Sequence, residues 1–318
     1  MATATEGKYA GEFLVDDEGE LSREAITVLS GQVLKAGHVV GRVNRGVGGP
    51  SIPAVSGTGN GTMTLLFAGP DVESGSYVVK CTTAVANGGV FSVTTPSGVA
   101  LPALTLTVGA GATTAYTSRH INFSITDGST DFAANDTFTI VVAAGTSAPV
   151  IGTGNGTLTG VSLGPDAFTG AYLVRCIATI TNGGTFEVVN PIGEVSNVGS
   201  ITAGAGGTLV RTGRQLNFTI TDGSTDFVAG DVFNVFAFNI VSAKAVEWDA
   251  RPAAFDGRQI VAGISWDNYD ATAADVAGVL EVRRAQVNGA ELTWKSTLSA
   301  AEIAAGKAAL TALGVVVR

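Results

Sequence analysis

The residues best suited to chemistry in this 318-residue chain are few, and most of them occur twice. Two cysteines, Cys81 and Cys176, each end an apolar run, SYVVKC or AYLVRC. A nucleophilic thiol needs a base beside it, and the chain has only His38 and His120. His120 becomes Gln215 where the surrounding sequence recurs, which excludes a shared Cys–His pair. The same shortage of ligands argues against zinc, so both cysteines read as buried free thiols. Oxygen chemistry has more material. TDGSTDF carries Asp127 and Asp131 and recurs with Asp222 and Asp226, and Asp136 and Asp231 follow. Calcium takes such carboxylates together with carbonyl oxygens, but the alternating acidic spacing of an EF-hand is absent. The favoured reading is an Asx-type turn in which the aspartate caps local amides and Gly128 or Gly223 supplies an unusual φ. GTGNGT and VGAGAT lack the Gly-Lys-Ser/Thr ending of a phosphate loop and read as strand starts and flexible loops. No carboxylate pair stands out for glycoside hydrolysis. No catalytic residue, metal ligand or cofactor is assigned, and the chain reads as a non-enzyme.

The duplicated motifs share one offset. GTGNGT at 57–62 returns at 152–157, GPD at 69–71 returns at 164–166, and NGG at 87–89 returns at 182–184. TDGSTDF and the cysteines follow the same 95-residue step, and about half of some 86 aligned positions are identical. This is a tandem duplication. Charge follows it. Only 14% of the chain is charged and the net charge is −9, against about 25% in a typical domain. Residues 57–142 hold five acidic and two basic groups, and residues 152–237 hold six and three, or about 9%; the remainder carries about 20%. An acidic chain with no basic cluster beyond Arg283-Arg284 is not a nucleic-acid binder. No apolar run of about 18 residues exists for membrane insertion, and MATATEGKYAGEF has no apolar signal core. Two cysteines make no disulfide framework, which suits synthesis in a reducing cytoplasm.

The elements that must hold these residues differ between repeats and flanks. HINFSI at 120–125 and QLNFTI at 215–220 alternate apolar with polar, as half-buried strands do, and Asn87-Gly88-Gly89 suits a hairpin turn. Six to eight short strands per repeat suggest an all-β sandwich, immunoglobulin-like in outline. In the flanks, residues 25–28, 39–43, 260–265, 278–282 and 291–294 read as strands or extended segments. Ser299-Ala-Ala-Glu302 is a capping box, predicting a helix to about Leu313 with Ile303, Leu310 and Leu313 on one face. Gly314 follows it, and then a closing strand at 315–317. Trp248, Trp266 and Trp294 all fall in the flanks, where they suit a core or a subunit interface. The two chain ends thus form one α+β body.

The flanks resemble the lambda-type phage head decoration proteins. The matching stretches are GEFLVDDEGELSREAITVLSGQVLKAGHVVGRV at 11–43 and DGRQIVAGISWDNYDATAADVAGVLEVRRAQVNGAELTW at 256–294, then the alanine-rich helix and LGVVVR at 313–318. Short members of that family run almost directly from the first stretch to the second; here about 200 residues intervene. The resemblance implies a homotrimer that binds the major capsid protein at three-fold sites on the outer surface of the expanded capsid and stabilises it. It also implies a mobile capsid-binding arm, residues 1–22, with Gly11, Glu12, Phe13 and Leu14 as its most recognisable part. The expected division is the arm, a body first part at 23–52, repeats at 53–147 and 148–241, and a body second part at 242–318. The repeats would project from the virion, and a second function, adhesion to host-surface glycan or protein, attaches to them by analogy.

Overall fold

The computed structural model describes residues 8–49, 55–143, 150–202, 204 and 206–318. The chain divides into two compact units, residues 1–45 with 242–318, and residues 46–241. Among the described residues it is β-rich with one α-helix, near the C-terminus, and no helix is long and apolar enough to cross a membrane.

The first unit is built by pairing distant segments. Arg23–Val28 runs antiparallel to Val276–Glu281 along its whole length, from Arg23↔Glu281 to Val28↔Val276. Val261–Ser265 pairs with Val276–Glu281 and also with the start of Val39–Gly48. A second sheet joins Leu14–Asp17, Ala285–Val287 and Val315–Val317, antiparallel and then parallel. The helix Ala300–Ala312 starts at the expected capping box: Ser299 Oγ accepts from the Glu302 amide, and the Glu302 carboxylate accepts from the Ser299 amide at 2.8 Å. Gly314 at φ +88° ends it. The buried face differs from expectation. Leu310 is buried, but Leu313, the C-cap residue past the last turn, is 39% exposed. Gly306 takes the vacated role, because the Trp294 and Trp248 rings close on it; a Cβ there would lie 2.5 Å from Trp294. Residues 291–294 form no strand, only a bridge from Thr293 to His38.

In the second unit each repeat forms eight strands in two sheets around an apolar core. In the first, Val55–Ser56, Thr137–Val142, Gly75–Val85, Gly88–Thr94 and Ala100–Leu106 hydrogen-bond in that order, and Thr113–Tyr116, Ile121–Thr126 and Thr62–Ala68 make the other sheet. The second repeat has the same order from Val150–Ile151 to the long strand Val232–Glu247. Asn87 and Asn182 turn the matching hairpins at φ +54° and +53°. Phe132 meets Phe91 and Phe138 edge to face, with centroids 5.1 and 5.9 Å apart, and Phe227 meets Phe186 and Phe233 at 5.0 and 5.7 Å. Such pairs add about 0.5–1.5 kcal/mol beyond burial.

The glycine-rich run is no flexible loop. It wraps the buried Asp136, which accepts the amides of Thr58, Gly59 and Ala133 at 2.8, 2.8 and 2.9 Å. Asp231 repeats this with Thr153, Gly154 and Val228. Burial works to raise these carboxyls, but the three amides together outweigh it and hold both pKa values below the ordinary range. The approach leaves no room for side chains: a Cβ on Gly57 would lie 1.9 Å from the Asp136 carboxylate, and one on Gly61 would lie 2.1 Å from the Phe132 ring. Removing the carboxylate strands three amides. Asp136→Ala should therefore destabilise its repeat by roughly 3 kcal/mol, read from the urea midpoint of the full chain. A loss within about 1 kcal/mol, the size of one ordinary hydrogen bond, contradicts this account.

Candidate functional site

The expected arm residues fall into two groups. Met1–Gly7 lie outside the described residues. Gly11 to Ser22 are packed on the first unit, unlike a segment without fixed contacts. Residues 9–14 form a tight turn: the Glu12 amide donates to the Tyr9 carbonyl, the Tyr9 amide to the Glu12 carboxylate, and the Leu14 amide to the Gly11 carbonyl. Gly11 sits at φ +69° and donates its amide to the Trp266 carbonyl at 2.9 Å. A Cβ there would lie 2.6 Å from the Trp266 ring, so this position needs glycine on two counts.

Phe13 is the anchor. It is 1% exposed, lies edge-on to Trp266 at 6.2 Å, and shares a core with Val39, Ile264, Val287 and Leu310. Its carbonyl accepts the Asn288 amide at 2.8 Å. Leu14 begins the strand that pairs with Ala285–Val287 and is half-buried, whereas Glu12 is exposed. The outward side of this segment also shows Tyr9, Val15 and Leu21, each more than half exposed.

Beneath the segment lies a charged cluster that no sequence motif signals. The Arg23 guanidinium stacks 3.5 Å from the Trp266 ring centroid and pairs with Asp17 at 2.7 Å. Its Nε lies 3.5 Å from Glu281, whose side chain is fully buried and whose two oxygens accept no hydrogen bond. Burial pushes the Glu281 carboxyl up, the Asp17 charge adds to this, and Arg23 only partly offsets them, leaving it at about 7. Glu281 stands between Leu280 and Val282 on a strand, and nothing in that context separates it from a solvated strand acid.

Cys81 and Cys176 are buried and donate to the Thr83 and Ala178 carbonyls, and burial raises both thiols, so neither is a poised nucleophile. His120 Nδ1 lies 4.0 Å from Glu73, in a hollow of about 380 Å³ shared with Asp71, Ser97, Asn239 and Val241. The Asx-turn reading of TDGSTDF is corrected. Gly128 and Gly223 have ordinary φ, and the carboxylates that each cap three loop amides are those of Asp136 and Asp231. Among the described residues no three His, Cys, Asp or Glu side chains converge as a metal site.

Glu281 gives a pH signature with a definite sign. Its folded pKa lies above the ordinary 4.5, so between about pH 4.5 and 7 the native state binds more protons than the unfolded chain. The Glu281 contribution to stability therefore falls as pH rises through that window, by about 3 kcal/mol in all. Glu281→Gln should match the parent near pH 4.5 and exceed it in stability at pH 8, as urea unfolding at the two pH values would register. An equal difference at both contradicts the assignment.

No curated protein and no solved structure matches the chain. A family model does: that of the bacteriophage lambda head decoration protein D, over residues 3–315. It embraces both chain ends, hence the Phe13–Trp266 anchor and the capped helix, as well as the repeats between them. The chain therefore belongs to the bacteriophage lambda head decoration protein D family, the structural, capsid-binding proteins of the phage head.

Proposed function

We propose that this protein cements the outer surface of an expanded phage capsid, binding the major capsid protein as a homotrimer at three-fold sites and stabilising the shell. Membership of the decoration family over residues 3–315 is the observation that carries this reading. Residues 1–22 supply the capsid contact. Phe13, with Gly11 against Trp266, holds the segment to its own body, while the exposed Glu12 and Val15 are free to meet the shell. A segment that extends on binding adds to a sheet edge through main-chain hydrogen bonds. Three such segments on one trimer gain avidity of about 10²–10⁴ without new contacts. Binding only the expanded shell then stabilises it by mass action. The two repeats, as immunoglobulin-like sandwiches at 53–147 and 148–241, project from this assembly, and 23–52 with 242–318 form the trimer-building body.

The test uses the whole chain. Purified protein mixed with undecorated expanded capsids should bind saturably at one trimer per three-fold site and raise the shell's melting temperature. A variant lacking residues 1–7 keeps the Phe13 anchor and should fold normally but bind at least about tenfold more weakly, since multivalent contacts are lost together. Absence of saturable binding by the full chain overturns the proposal. Undiminished binding by the truncated chain and by Glu12→Arg removes the arm from it.

A further inference from the structure

The two repeats share a frame but differ at one corner, where the edge strands of their two sheets meet. In the first repeat Tyr116 fills that corner, 5% exposed and stacked on Phe123 at 4.8 Å. The matching position of the second repeat is Arg211, which ends the strand Thr208–Arg211 opposite Phe218. Four neighbours differ with it: Val99 is matched by Glu194, Leu101 by Ser196, Ser118 by Gly213 and His120 by Gln215. Where the first repeat packs a ring, the second has a hollow of about 330 Å³. Ser196, Arg211, Arg214, Gln215, Asn190 and the exposed Glu194 line it.

The Arg211 guanidinium is only partly used. Its Nη2 donates to Ser196 Oγ at 2.9 Å, its Nη1 has no partner, and it forms no ion pair among the described residues. Gly213 lies against the remaining edge: a Cβ there would stand 3.1 Å from Nε and 3.6 Å from Nη2. Without one, the Nε–Nη2 edge stays open, and such an edge grips a carboxylate through two parallel hydrogen bonds. The other groups are largely committed. Arg214 is held by Asp166, its Nη2 donating to Oδ1 at 3.0 Å. Asn190 Nδ2 donates to Glu194 Oε2 at 2.8 Å and to Gln215 Oε1 at 3.2 Å. Left over among the described residues are the Arg211 edge, the Gln215 Nε2 donor and Glu194 Oε1 as an acceptor. A matching ligand brings an anionic acceptor together with hydroxyl groups that can donate. One open guanidinium beside a carboxylate suits a single negative charge, because a doubly charged phosphate is repelled by Glu194.

We propose that this hollow of the second repeat binds an acidic sugar, with the sugar carboxylate on Arg211 and its hydroxyls on Glu194 and Gln215. The first repeat, with Tyr116 in the corner, has no such site. With one guanidinium as anchor, a single sugar unit binds with Kd about 1–10 mM.

Full-length protein titrated in turn with sodium glucuronate and sodium N-acetylneuraminate, and followed by saturation-transfer NMR, should bind at least one of them saturably at one site per chain. Glucose, which lacks the carboxylate, and phosphate at equal ionic strength should bind at least about tenfold more weakly. Arg211→Tyr gives the second repeat the side chain that the first one packs there. It should keep the parent's melting temperature and bind the acid at least about tenfold more weakly. Gly213→Ser, at a position of ordinary φ, keeps the guanidinium but covers its edge, and should weaken binding as well. The proposal is overturned if neither acid binds saturably up to about 20 mM, above the expected range. Equal binding of glucose or phosphate overturns it too, as does parent-like binding by either folded variant.

Discussion

The first unit depends on one pairing: Arg23–Val28 must find Val276–Glu281, about 250 residues further along the chain. Every other strand of that sheet is placed by it, and so is Glu281 opposite Arg23. The separation looks prohibitive, but loop-closure entropy grows only as the logarithm of length. A connection eight times shorter would save only about 2 kcal/mol. The intervening residues also fold on their own cores, which shortens the flexible part further. The cost of so long an insert therefore falls on folding rate, because such distant partners pair late, more than on stability.

Each repeat solves a second problem, that of building a core with few charged residues to mark its outside. Period-two strands turn Tyr77, Phe91, Phe123 and Phe138 inward, while Thr, Ser and Asn hydrate the other face. Two of the five acidic groups in the first repeat, Asp127 and Asp136, are buried as well. The surface thus carries still less charge than the composition indicates. The copies keep this frame and vary what it displays. Glu73, Ser97 and His120 line a polar hollow where the second copy places Phe168, Ile192 and Gln215 on the same backbone positions.

Signals that act locally were legible in the sequence. The capping box at Ser299, the positive φ at Asn87 and the alternation of 120–125 all involve residues within a few positions of one another, so their types suffice. What failed was non-local. Leu313 fits the helical period, but the period cannot say that this C-cap residue stays exposed while Trp248 and Trp294 close over Gly306. GTGNGT reads as flexible until Asp136, nearly 80 residues later, is seen to need its amides. Nothing near Phe13 in the sequence signals that Trp266, more than 250 residues away, packs against its ring. Glu281 carried no signal, because its peculiarity lies wholly in what folds over it.

That last residue bears on how firmly the N-terminal segment is held. Its grip is uneven along a few residues. At Phe13 an aromatic ring is buried against Trp266, and at Gly11 the backbone hydrogen-bonds to the same tryptophan; both contacts are insensitive to charge. At Asp17 the segment brings a carboxylate toward the buried Glu281, with Arg23 between them serving both. When Glu281 is ionised, one guanidinium faces two anions, only one of which it reaches at hydrogen-bonding distance. When Glu281 is neutral, Arg23 and Asp17 form an undivided pair. The segment is thus held at its apolar end by contacts that do not depend on charge, and at its other end by an ion pair that Glu281 shares only when ionised.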